Sequence, residues 1–139
     1  MKNLLFALLA FSLFLAVGCR SVEASNSNDN EVQDRGGQIV QAVMSGDYKE
    51  FAAAAGERAD EAMAEEFKSS RDNLIENFGQ FFSFRHFGQL ETPMFVNLFY
   101  AVKFVRTGSQ GKKIQHEQLM QLIFGKKDNR WQLVGMRFI

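Results

Sequence analysis

Between Ile39 and Phe78 the apolar residues recur at helical spacing, whereas after Gly79 the period falls to two and β-branched and aromatic residues dominate to the C-terminus. The helical part divides at Gly46-Asp47-Tyr48-Lys49-Glu50-Phe51: Gly46 can end one helix, Asp47 can cap the next, and Glu50 stands three residues on. Before that break, Ile39, Val40, Val43 and Met44 predict one apolar face, with Gly36-Gly37 weakening the start of the helix. The helix after Asp47 should be short and end near Gly56. From Glu57 to Phe78 the spacing predicts the main helix, with Ala59, Met63, Phe67, Leu74 and Phe78 as its stripe. Four strands are then expected, over residues 81–90, 94–106, 112–124 and 130–138, joined by turn-forming segments at Thr92-Pro93, residues 107–111 and Lys127-Asp128-Asn129. Connections this short make an antiparallel meander, so the chain reads as an α+β domain with its N-terminal helices on one face of a curved four-stranded sheet.

Strand pairing sorts the side chains. Setting Arg106 opposite Lys112 puts Val96, Leu98, Tyr100, Val102 and Phe104 on one face with Ile114, His116, Gln118, Met120 and Leu122. Setting Leu122 opposite Val134 adds Val134, Met136 and Phe138 to this helix-facing side. The other face collects Asn97, Lys103, Gln115, Glu117, Gln121 and Arg137, but also Phe95, Phe99, Leu119, Ile123, Trp131 and Leu133. Such an apolar group on an otherwise polar face predicts an interface, with a homodimer through the sheet as one use and cover by a loop or the N-terminal segment as the other.

Ahead of the domain, Met1-Lys2-Asn3 begins a short positive start and Leu4 to Val17 is apolar apart from Ser12. A run of roughly 14 residues suits a secretory signal and falls short of the ~20 a membrane span needs. The segment Leu15-Ala16-Val17-Gly18-Cys19 resembles the lipobox of bacterial lipoproteins, which implies cleavage after Gly18 and lipid attachment at Cys19. Val22-Glu23-Ala24 has the small-x-small form of an ordinary cleavage site, and cutting there would release a protein without the thiol. Residues 1–18 are thus expected as signal, 19–30 as a lipid-anchored flexible tether rich in Ser, Asn and charge, and 31–139 as a single domain. In similar lipoproteins an aspartate after the lipidated cysteine favours the inner membrane; Arg20 stands there instead, which implies the outer membrane.

Composition narrows the chemistry. The chain has one cysteine, so no internal disulfide, and fifteen phenylalanines against one proline, so an aromatic core held by packing alone. The formal net charge of zero conceals an acidic first half and a basic second half, as acidic helices lying on a basic sheet would produce. No basic-aromatic interleaving marks a nucleic-acid partner. Two histidines far apart with no clustered carboxylates do not make a metal site, and no cofactor motif is present: Gly108-Ser109-Gln110-Gly111-Lys112-Lys113 has the wrong spacing for a phosphate loop and reads as a hairpin turn. Tyr100, His116 and Gln118 are the polar exceptions on the helix-facing side and are the candidate pocket. There His116 serves as a general base or ligand contact, or is simply a partly exposed strand-end histidine. No catalytic dyad is placed by spacing.

The order of elements, the Ser45-Gly46-Asp47-Tyr48 junction and the closing strand Trp131-Gln132-Leu133-Val134-Gly135-Met136 after a charged turn resemble the nuclear transport factor two-like (cystatin-like cone) superfamily. That resemblance implies a cone of helices closed by a curved sheet and a frequent sheet-mediated dimer, but not one activity. The reading drawn from the residues is a lipid-anchored envelope protein whose domain binds a small apolar ligand or a partner protein without catalysis. Two alternatives stand beside it: an enzyme using His116 and Tyr100 for proton transfer on a small molecule, and a pure assembly module working through the Phe95, Ile123 and Leu133 face.

Overall fold

The computed structural model describes residues 27–139, with side chains from residue 30 onward; the leader, Cys19 and most of the expected tether lie outside the described residues. Helices α1 (Ser27–Ser45), α2 (Tyr48–Ala55) and α3 (Glu61–Phe78) precede strands β1 (Gln80–Glu91), β2 (Phe95–Thr107), β3 (Lys113–Lys127) and β4 (Arg130–Phe138). The strands form one antiparallel sheet in the order β1-β2-β3-β4. The architecture is therefore α+β, three helices with an open four-stranded meander.

Local chemistry sets the helix limits. The Asp47 carboxylate accepts the Glu50 N–H at 3.0 Å and opens α2. Asp60 accepts the Ala62 N–H at 2.8 Å, so α3 starts at Glu61 rather than at Glu57. Helix α1 begins at Ser27, and its first turn takes in the last residues of the segment expected as a tether.

The central helix is α1, not α3. Val32, Ile39, Val40 and Val43 are buried against Leu98, Tyr100, Val102 and Phe104 of β2 and Met120, Leu122 and Phe124 of β3. Helix α3 has no fully buried residue. Its Phe67 joins Tyr48 and Phe51 of α2, with ring centroids 5.6 and 4.9 Å away, and its Phe78 reaches Phe104 at 5.4 Å. The reason α1 can lie so close lies in Gly36. A Cβ there would collide with Leu98 Cδ1 and Tyr100 Oη, whereas a Cβ at Gly37 would meet nothing within 4 Å. Gly36 does not merely weaken a helix start; it is where the helix backbone touches the sheet.

Register explains the remaining differences. Arg106 pairs with Ile114, two residues from the expected Lys112, and an even shift leaves every β2 and β3 side chain on its expected face. The last hairpin differs by an odd shift. Asp128 and Asn129, with φ of 48° and 60°, make a two-residue turn that pairs Lys127 with Arg130, while Met120 pairs with Phe138 and Leu122 with Met136 further along. The two registers differ by one residue, and a bulge at Val134 absorbs it. Trp131 and Leu133 consequently pack on the core side, not on the outer face where the interface group was expected. Val134 turns outward instead and is 60% exposed.

An Ala at position 36 should therefore lower stability by about 1–2 kcal/mol, overpacking of ~1–3 kcal/mol being partly offset by better helix propensity. The neighbouring Gly37→Ala should raise it by about 0.5–1 kcal/mol. Urea unfolding of both variants measures the pair, and equal effects would contradict the contact.

Candidate functional site

Three successive rungs of the β2–β3 ladder carry the expected pocket residues: Phe104 with His116, Val102 with Gln118, and Tyr100 with Met120. The two-residue register difference moves Tyr100 one rung further from His116 than the sequence pairing placed it. The buried side chain of Val102 stands between them on β2. His116 is half-buried, its ring stacked on Phe104 at 5.7 Å and 5.8 Å from that of Phe78. Neither of the two ion pairs among the described residues involves a histidine.

Tyr100 is 2% exposed, and its hydroxyl donates to the Gln33 backbone carbonyl at 3.2 Å. Burial, and after it the Asp34 carboxylate, push its pKa up to about 12, so it is a neutral donor across the physiological range. The histidine brought to this tyrosine is His86, whose face the sequence left open. Its ring lies edge-on to Tyr100 at 5.4 Å, and its Nδ1 is 3.2 Å from Gln33 Nε2. A bulge in β1 just after His86 made its face illegible from alternation.

Two arginines also escaped the sequence reading, because nothing in spacing announces a side chain that binds distant carbonyls. Arg35 donates to Ala54 O at 2.9 Å and Trp131 O at 2.8 Å, linking α1 to the end of α2 and to β4. Arg71 of α3 donates to Val43 O and Met44 O, both at 2.8 Å, and satisfies the end of α1. Each guanidinium also lies over a ring, Phe124 and Phe81 respectively. They are structural clamps, each holding two backbone carbonyls.

Hollows on the helix side lie along its outer margins: one of about 580 Å³ between α1 and α2, lined by Gly37, Gln38, Gln41, Glu50, Ala53 and Ala54 among others, and an open one of about 650 Å³ around the Gly46-Asp47 junction. Another of about 390 Å³ lies between α1 and the β3–β4 turn, lined by Glu31, Arg35, Lys126, Arg130 and Trp131 among others. An apolar one of about 170 Å³ lies where Tyr48, Phe51, Met63, Phe67 and Met136 meet. The latter is below the ~300–1,000 Å³ of ordinary small-molecule sites.

The outer face of the sheet is different. Phe95, Phe99, Leu119 and Ile123 lie on it as expected, joined by Val134 and by Phe87 and Leu90 of β1. Phe87 and Leu90 are 62% and 61% exposed. Five of its polar side chains bond within the face: Gln121 donates to Asn97 Oδ1 at 2.9 Å and accepts from Arg137 Nε at 2.6 Å, and Arg85 pairs with Glu117 at 3.1 Å.

No protein-family model matches the chain, and no curated protein matches it. Among solved structures it is similar to a protein described as an NTF2-like transpeptidase from Campylobacter jejuni, at 12% identity and a TM-score of 0.43, over 73% of this chain and 94% of that one. It is also similar to a SEC-C motif containing protein from Rhodopseudomonas palustris, at 17% identity and a TM-score of 0.41, over 72% of each chain. Neither supplies a residue-by-residue correspondence or an activity for this chain.

Tyr100→Phe should cost about 1 kcal/mol at neutral pH through the lost bond to Gln33 O. The tyrosine's raised pKa also contributes stability that is complete below its unfolded value near 10 and is lost as pH rises towards 12. Urea midpoints followed from pH 9 to 12 should fall more steeply for the native protein than for Tyr100→Phe; parallel profiles would contradict the buried hydroxyl.

Proposed function

We propose that this chain is a lipid-anchored protein of the bacterial cell envelope whose domain is a non-catalytic assembly module, pairing with a second copy through the outer face of its sheet. The carrying observation is the pre-satisfied polar chemistry of that face. Asn97, Gln121 and Arg137 bond to one another, and Arg85 to Glu117, so a flat partner can cover the face without orphaning those groups.

Size supports the same reading. Thirteen residues of β2 at ~3.3 Å each, across four strands at ~4.8 Å, make a face of roughly 800 Å². A standard interface takes about that area from each partner. Anchoring at Cys19 would hold copies in one plane and raise their effective concentration, which favours a two-fold pair of like faces. The helix side supports ligand binding or proton transfer less well. Its tyrosine is a buried neutral donor to a backbone carbonyl, its His116 ring lies between phenylalanines, and neither Tyr100 nor His116 lines any of its hollows.

Native mass spectrometry of the acylated protein released from detergent reads both parts of the proposal. The expected result is a dimer whose subunits begin at Cys19 and carry acyl mass, with Phe99→Glu/Ile123→Glu reduced to monomers. A monomeric native protein, or an unchanged dimer in the double variant, overturns the interface. Subunits that start beyond the thiol overturn the anchor.

A further inference from the structure

The turns at one end of the sheet stand side by side. Lys126 N–H donates to Met94 O at 3.0 Å, which locks the β3–β4 turn to the β1–β2 turn. Thr92 stiffens the latter, its backbone N–H donating to Phe95 O at 2.8 Å while its hydroxyl oxygen accepts the Phe95 N–H at 3.0 Å. Met94 on this rigid pair is 56% exposed next to Lys126, with Lys127 and Arg130 closing the neighbouring turn, and Leu90, 61% exposed, lies on the outer face of β1 at the same end of the sheet. Neither exposed side chain has a role in the core.

The chain enters the fold at the same end. Glu31, one helical turn past Ser27, shares its hollow with Lys126, Asn129 and Arg130. Cys19 is eight residues before Ser27. Eight residues, however they are arranged, reach no more than ~29 Å. The Ser109–Gly111 turn at the far end is about 50 Å along β3, fifteen residues at ~3.4 Å each. A lipid on Cys19 therefore presents the paired turns, and not the far end, to the bilayer.

We propose that the paired turns are a foot that rests on a phospholipid bilayer, with Leu90 and Met94 in the interfacial layer and Lys126, Lys127 and Arg130 at the headgroup phosphates. This rests on the lipid anchor proposed above. Acidic groups at this end are Glu31, held by Arg35 at 3.7 Å, Glu91 and Asp128, so the basic contribution is local to the turns. Long lysine and arginine stems suit that geometry, reaching phosphates while their methylenes cover the apolar pair. The foot also orients the domain: with its turns on the membrane, the outer sheet face stands off the plane and is free to meet a second copy.

The single tryptophan, Trp131, adjoins the foot, with Lys126 Nζ 5.6 Å from its ring, and reports on it directly. The acylated protein is reconstituted into phosphatidylethanolamine and phosphatidylglycerol vesicles with or without headgroup spin labels, and Trp131 quenching is read alongside co-flotation. The expected result is strong quenching that falls in Leu90→Ser/Met94→Ser, the ratio of docked to undocked protein dropping by about tenfold or more. Neutralising Lys126, Lys127 and Arg130 with glutamine should lower it by about fivefold per charge. Leu90, Met94, Lys127 and Arg130 are exposed and Lys126 is half-buried, and an unchanged thermal midpoint checks that each variant keeps the fold. Weak quenching of the native protein, or quenching in both variants unchanged from the native protein, overturns the foot while co-flotation still upholds the anchor. Failure to float, with no acyl mass, overturns the anchor and the foot with it.

Discussion

The approach of α1 to the sheet at Gly36 is the contact from which the other features follow. Only a residue without a side chain lets this helix backbone sit against Leu98 and Tyr100. Once it is there, the Tyr100 hydroxyl meets Gln33 O, Arg35 reaches both the end of α2 and β4, and Val32, Ile39, Val40 and Val43 fill the space above β2 and β3. The helix side is thereby a packed interior whose hollows lie at its margins. Chemistry that needs a deep chamber has little room there.

Function is consequently pushed to the outside. The sheet's second face combines apolar residues with polar groups that bond within the face, a surface suited to being covered. The turns at the tether end combine exposed apolar residues with basic ones, a surface suited to headgroups. These two surfaces adjoin on one rigid sheet, with Leu90 at their shared edge. Arg71 and Arg35 serve this arrangement indirectly, tying the helix ends so that the sheet keeps its shape.

Most of the fold was legible because hydrophobic period and turn chemistry are local. The break at Gly46-Asp47, the short α2 and the four strands follow from a few adjacent residues each. The choice of α1 over α3 as the central helix was not legible, since a glycine that permits close contact and a glycine that weakens a helix look identical in sequence. The inner face of β2 and β3 could be sorted by alternation, and a two-residue register difference left it unchanged. Trp131, Leu133 and Val134 could not, because one bulged residue reverses the face and only the conflict between the turn at Asp128-Asn129 and the pairing of Leu122 with Met136 reveals it. The distance between Tyr100 and His116 depended on that same long-range register, and the pairing of Tyr100 with His86 depended on a β1 bulge.

A crystal structure of the acylated protein extracted from membranes tests the central claim, that the helix side is filled, most directly. The account predicts continuous packing of Gly36 on Leu98 and Tyr100, the Tyr100 hydroxyl on Gln33 O, and no foreign density between α1 and the sheet. Density for a lipid or other small molecule parting α1 from β2, with Tyr100 bonded to it, would contradict the account and return the function to the interior.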